Sequence, residues 1–468
     1  MIKYIPDSKE NIEKMLKEIG VKSIDDLFED IPASVRLNGE IGIGKGVSEW
    51  EAYKKLKDLS NKNNIDYINF LGFGSYDHII PSVVHSIIGR SEFYTAYTPY
   101  QAEISQGILQ AIFEYQTVIC QITGMDASNA SLYDGATSAY EAVVMGLQNN
   151  KNGDEILFSS TIHPFTKEVL NTTVSDLGLK LIEIEEEDGQ TSLKDLKEKL
   201  TEKTAAVIIQ TPNIYGIIED LTGFADEIHK TKALFVISSN PLSLAHLKSQ
   251  REWGADIAIG DLQPAGIPQY FGGPSAGYIA TKMEHVRKLP GRIVGQTVDR
   301  DGKRAFVLTL QAREQHIKRE KATSNICSNQ ALAALSSLVY FVSIGKEGYK
   351  EVSRQNFAKS HYLFDRLTDE LNLKPYSKRP FFNEFAIDFG SYEKAKEFLN
   401  YMEENKIMAG IMLSDILNLT PFSKKLEEQK KKEGIKDNSG VIVVACTEKR
   451  TKDEIDLYID KTKNFIKK

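Results

Sequence analysis

Between residues 130 and 282, six short apolar runs recur, most of them separated by stretches with helical spacing. The runs are EILFSS (155–160), KLIEIE (180–185), AAVIIQ (205–210), ALFVISS (233–239), ADIAIG (255–260) and AGYIAT (276–281). SLKDLKEKLTE and LTGFADEIHKT are two of the intervening segments. Strands alternating with helices argue for an α/β fold built on a mostly parallel, doubly wound sheet. In such sheets ligands lie beyond the carboxyl ends of the strands, so chemistry is sought in the loops that follow them.

The flanks read differently. Ile12, Met15, Leu16 and Ile19 fall on one face of a helix that Gly20 stops, and SIDDLFEDI reads as a second short helix ending before Pro32. Residues 1–65 are therefore expected to form an N-terminal helical arm rather than a self-sufficient domain. Residues 66–325 form the large domain in this reading. Beyond 325 come the long helical stretch NQALAALSSLVYFVSIG, the strand-like NEFAIDF and VIVVAC, and the helices YEKAKEFLNYMEEN and KDEIDLYIDKTKNFI. They predict a smaller α+β domain over 326–468.

The chain has 468 residues, 41% hydrophobic and 26% charged, and carries a net charge of -7, which argues against a nucleic-acid partner. Its Lys-rich run, KKLEEQKKKEGIK (Lys424–Lys436), is interleaved with Glu and reads as a solvated helix or loop. Cys120, Cys327 and Cys446 are too widely spaced for a metal motif or a disulfide framework. No apolar run approaches the ~18 residues of a membrane span and the start lacks a signal region, so a cytoplasmic protein is expected.

The loop after the fifth run, GDLQPAGIPQYFGGP (260–274), has the glycine-rich form of an active-site lip, yet Asp261 is its one ionisable acid. No lysine occurs between Lys248 and Lys282. Upstream, YDGATSAYEA places Gly135, Ala136, Thr137 and Ser138 at a helix start. That is either a phosphate cup or a helix capped by Asp134 and Thr137. His163, in TIHPFT, follows the first run and either stacks on a planar ligand or serves the structure. Ser238 and Ser239 end the fourth run.

In that order, these loops resemble the layout of pyridoxal-phosphate enzymes of the aspartate-aminotransferase-like fold (fold type I). Such enzymes need a lysine for the Schiff base and an Asp on the pyridine nitrogen. Here Ser238 stands near the expected Asp, and Gln263 and Pro264 near the expected lysine. A second unusual stretch, 70–107, sets Tyr76, His78, Tyr94, Tyr97 and Tyr100 among Gly, Ser, Thr and Pro. It reads either as a polar site lined by hydroxyls or as an aromatic interface.

FLGFGSYDHIIP, EFYTAYTPYQAEISQGILQAIFEYQT, ASLYDGATSAYEA and LTLQAREQHIKREKATSNIC resemble the glycine cleavage system P protein, in particular subunit 1 of its two-subunit bacterial form. The similarity spans essentially the whole chain. It implies a pyridoxal-phosphate oxidoreductase that decarboxylates glycine and passes the aminomethyl group to the lipoyl arm of H protein. It also implies that subunit 2 carries the Schiff-base lysine and the cofactor, in an assembly with two copies of each subunit.

The loop Tyr94–Gln101, with Tyr94, Tyr97, Thr98, Tyr100 and Gln101, is then expected near the site shared with subunit 2, with Ser75, Tyr76 and His78 beside it. Gly135, Ala136, Thr137, His163, Ser238 and Gln263 would line this chain's own degenerate cofactor pocket, with no metal. Arg292, Arg313, His316 and Arg319 hold either an anion or ion pairs with neighbouring acids. The alternative function is a silent pseudoenzyme that only stabilises subunit 2.

Overall fold

The computed structural model describes residues 7–37, 39, 41–270, 272–432 and 438–467. They divide into two compact units, Met1–Ile65 and Asp66–Lys468. In the first, helix α1 (Lys9–Ile19) starts where the Ser8 side chain accepts from Asn11 N, and α2 (Glu49–Ser60) starts at a Ser48–Glu51 capping box. SIDDLFEDI yields only a 3-10 turn, Asp25–Phe28. Ser23 N donates to the Asp26 carboxylate and Asp26 N to the Ser23 hydroxyl, the reciprocal pattern of a helix start, yet only a single 3-10 turn follows. No described residue of this unit is buried, and Met15, Trp50 and Leu56 lie exposed, so its described residues form no core of their own.

The second unit is organised by a seven-stranded sheet. Its strands are β1 (Ala127–Ser128), β2 (Glu155–Ser159), β3 (Lys180–Ile184), β4 (Thr204–Gln210), β5 (Leu234–Ser238), β6 (Ile257–Asp261) and β7 (Gly277–Thr281). They lie in the spatial order β1-β7-β6-β5-β4-β2-β3. Strands β2 to β6 pair in parallel, while β7 runs antiparallel to both β6 and β1. Among the described residues between 262 and 276 there is no regular helix, and the chain returns down the sheet instead of crossing over it.

Successive strand residues point to opposite faces. Leu157, Val207, Phe235 and Ile237 pack with Tyr115 and Ile119 of α3 (Gln106–Thr123). Ile156, Phe158, Ile208 and Val236 pack with Ala139 and Val143 of α4 (Gly135–Asn149) and Leu170 of α5 (Pro164–Ser175). Each such fully buried aliphatic side chain contributes about 1.5–3 kcal/mol. The long helix α6 (Ala331–Asp365) adds Ala334 and Leu335 to the first face and breaks its regular geometry at Gly345.

A second, antiparallel sheet comprises β8 (Lys374–Pro375), β9 (Glu384–Asp388), β10 (Ile411–Met412) and β11 (Val441–Ala445), ordered β8-β9-β11-β10. The Lys-rich run begins as the helix Pro421–Lys432, and residues 433–437 lie outside the described residues. It is less solvated than its composition suggests. The Lys430 ammonium, its side chain only 12% exposed, lies 2.8 Å from Glu183 and 3.3 Å from Glu185. No described helix is long and apolar enough to cross a membrane.

Candidate functional site

A cavity of about 430 Å³ opens at the carboxyl ends of β4, β5 and β6. Gly135, Ala136, His163, Ser238, Ser75 and Tyr76 all line it, together with Asp261, Pro264 and Glu384. Thr137 and Gln263 are not among the lining residues, and neither are His78, Tyr94, Tyr97, Thr98, Tyr100 and Gln101. The lining holds three acids and His163, but no lysine or arginine.

The start of α4 is closed by carboxylates. Asp134, its N-cap, accepts from Thr137 N at 2.7 Å. Asp261, the last residue of β6, accepts from Gly135 N at 2.9 Å and from Gln263 N at 2.9 Å, and is also bonded by the Ser275 hydroxyl. A Cβ on Gly135 would stand 3.1 Å from Asp261 Cβ, so the helix start and the strand end touch directly. Burial pushes the Asp261 carboxyl up, while its hydrogen bonds pull it down.

His163 is held in one neutral form. Its Nδ1 accepts from Phe165 N at 3.2 Å, which leaves Nε2 to carry the proton toward Phe73 O at 3.1 Å. Burial lowers this imidazole to about 4. Both ring nitrogens are engaged, so only the ring face remains to offer a ligand. Gln263 is committed as well: its Oε1 accepts from Tyr76 N at 2.8 Å, and its Nε2 donates to Tyr76 O and Ile267 O. It staples the 73–76 segment to the strand-end loop. Gly272 and Gly273, at φ 111 and 129, meet nothing within 4 Å of a built Cβ. Glycine is required there by the backbone turn rather than by a close approach.

Glu384, at the start of β9, was not apparent as a site residue from the sequence. Its carboxylate accepts from Tyr76 OH at 2.6 Å and from Phe73 N at 2.9 Å, and burial pushes it up to about 7. The only local signal is an acid opening an apolar strand run without a neighbouring base. Ser75 O accepts from Gln269 Nε2 at 3.1 Å. His78 turns away from the cavity and pairs with Glu448 at 2.7 Å.

Tyr94 and Tyr97 are 69% and 82% exposed, and Tyr100 is 47% exposed. Thr98 is half-buried and Gln101 exposed. The Arg292 guanidinium lies 5.3 Å from the Tyr100 ring centroid and donates to its hydroxyl at 3.3 Å. Arg292 and Glu314 are both buried, 3.8 Å apart, and His316 lies 3.7 Å from the same carboxylate. Arg313 donates to Gly291 O and Leu310 O. Arg292 and His316 thus share the Glu314 carboxylate and two carbonyls accept from Arg313, while Arg292 Nε and Arg313 Nη1 are buried without a hydrogen-bond partner among the described residues. Arg292 supports the aromatic loop from beneath.

Lys282 stands at the opposite end of the sheet from the cavity. Because β7 is antiparallel, its end lies beside the start of β6, where Lys282 Nζ is 2.5 Å from Asp256. Asp256, Glu284 and His285 cluster there, but Asp256 also accepts from Phe235 N and pairs with His229.

The residues present do not fit a pyridoxal phosphate. The first amide of the cup is taken by Asp261, no amine lines the cavity, and the position nearest the expected lysine is spent on backbone bonds.

Residues 2–437 match the family described as glycine cleavage system P-protein. The chain is 46% identical over 460 residues, 98% of both chains, to a Bacillus cereus (strain AH187) protein called probable glycine dehydrogenase (decarboxylating) subunit 1. A crystal structure of glycine decarboxylase (P-protein) of the glycine cleavage system, in inhibitor-bound form, superposes with a TM-score of 0.86 at 37% identity. That match covers 99% of this chain and 100% of the other. Glutamate decarboxylase of Lactobacillus brevis shares the fold at a TM-score of 0.66 and 11% identity, covering 93% of this chain and 96% of that one. The architecture is the pyridoxal-phosphate fold type I, and the chain belongs to the glycine cleavage system P-protein family.

Proposed function

We propose that this chain is subunit 1 of a two-subunit glycine decarboxylase, an oxidoreductase of the glycine cleavage system, and that subunit 2 brings the lysine and the pyridoxal phosphate. The observation that carries this reading is a cavity with its walls in place, whose cradle and lysine position are occupied by Asp261 and Gln263. With subunit 2, the chain decarboxylates glycine and hands the aminomethyl group to the lipoyl arm of H protein. The electron sink for the carbanion left by carbon dioxide belongs to the partner.

This chain supplies surroundings. The exposed loop Tyr94–Gln101, braced by Arg292 beneath Tyr100, is presented to the mouth of the partner's site. Phenol hydroxyls there orient glycine's carboxylate, and the loop excludes water from the reacting centre. The apolar faces of the coreless arm cover a neighbouring subunit in a cytoplasmic assembly with two copies of each subunit.

Glycine–bicarbonate exchange tests the reading. The chain alone gives none, and adding subunit 2 and lipoylated H protein restores it. Robust exchange by this chain alone would overturn it.

A further inference from the structure

We propose that Asp261 is a built-in anion, occupying the cradle at the start of α4 in place of a ligand's phosphate and closing this pocket to phosphorylated molecules. A helix N-terminus presents unpaired amides and a positive dipole end, and a carboxylate satisfies both as a phosphate does. Asp261 takes one amide of the helix start, Gly135 N, on one oxygen while Gln263 N and the Ser275 hydroxyl hold its other oxygen, and Asp134 takes Thr137 N.

The exclusion has a steric and an electrostatic part. The Asp261 Cβ lies 3.1 Å from where a Cβ of Gly135 would be, so no tetrahedral group enters between strand end and helix start. A phosphate brought to the mouth would face Asp134 and Asp261 with no lysine or arginine lining the cavity to offset them. The lip residues Gln263 and Ser275 are held by the same carboxylate. This goes beyond the assignment of the cofactor to subunit 2 and does not depend on which reaction the assembly performs.

Chemical rescue tests it in the full chain. Asp261→Gly empties the cradle, so the variant should melt below the wild type. Inorganic phosphate and pyridoxal phosphate should raise its melting temperature saturably by a few degrees, whereas pyridoxal and chloride at matched ionic strength should not. The wild type should show no saturable response to any of the four. Asp261→Asn keeps the side-chain volume and should stay unresponsive to phosphate. If Asp261→Gly is not recovered folded, Asp261→Ser carries the same comparison. Equal phosphate stabilisation of wild type and variant would overturn the proposal, and so would a folded variant that phosphate does not stabilise.

Discussion

The hydroxyl of Tyr76 donates to the Glu384 carboxylate at 2.6 Å, tying the 73–76 segment to the first residue of β9 across 308 positions of sequence. The same carboxylate takes Phe73 N, so the cavity wall and the second sheet share one buried acid.

This acid predicts a pH dependence. Burial raises Glu384 from an ordinary 4.5 to about 7, so the folded chain holds the proton more tightly than the unfolded one. Its contribution to stability is complete below about 4.5 and is lost as pH rises through about 7. Glu384→Gln mimics the protonated form, with an oxygen for Phe73 N and an amide to donate to Tyr76. The variant should unfold in denaturant at higher concentrations than wild type at pH 8, with a flatter pH profile between 4.5 and 7.

Gly216 predicts a steric failure. It sits at φ 79, and a Cβ built there would lie 1.7 Å from Glu384 O. Gly216→Ala should cost about 3 kcal/mol or more, read as a lower denaturation midpoint with unchanged slope.

The aromatic loop predicts a catalytic effect without a structural one. Tyr97 is 82% exposed in this chain, so Tyr97→Phe leaves the fold and its melting temperature unchanged. In the complex reconstituted with subunit 2, glycine–bicarbonate exchange should fall about tenfold in kcat/KM, the worth of one hydrogen bond of ~1.4 kcal/mol. Unchanged turnover with intact assembly would favour a role limited to stabilising subunit 2.

The arm predicts a separation of folding from assembly. None of its described residues is buried, so deleting residues 1–65 removes no core and the remaining unit should keep a cooperative melt. Sedimentation velocity of the deleted chain with subunit 2 should show weakened association.

Six of the seven strands were legible as apolar runs of strand length, and EILFSS and AAVIIQ fall on β2 and β4 within a residue, whereas the two-residue β1 was too short to read. The direction of β7 was not legible, since nothing in AGYIAT encodes whether the chain crosses over the sheet or turns back. SIDDLFEDI does carry a start signal, with Ser23 and Asp26 bonded reciprocally, but the chain continues it for only one 3-10 turn, Asp25–Phe28. Gly135, His163 and Ser238 could be placed at one end of the sheet from the order of the loops. What Asp261 and Glu384 do there could not, because their partners lie 126 and 308 positions away and only the folded chain brings them together. His78 was indistinguishable by composition from its tyrosine neighbours, yet its partner Glu448 draws it to another wall.

The three backbone bonds of Gln263 would make the proposed division of labour hard to reverse. A lysine at that position would strip Tyr76 N of its acceptor and still find the cradle filled by Asp261, so the first step back toward an active site would lower stability and return no affinity. Two or more substitutions would have to arrive together. On that proposal the chain is held to a supporting role by its own hydrogen bonds, whatever selection asks of its partner.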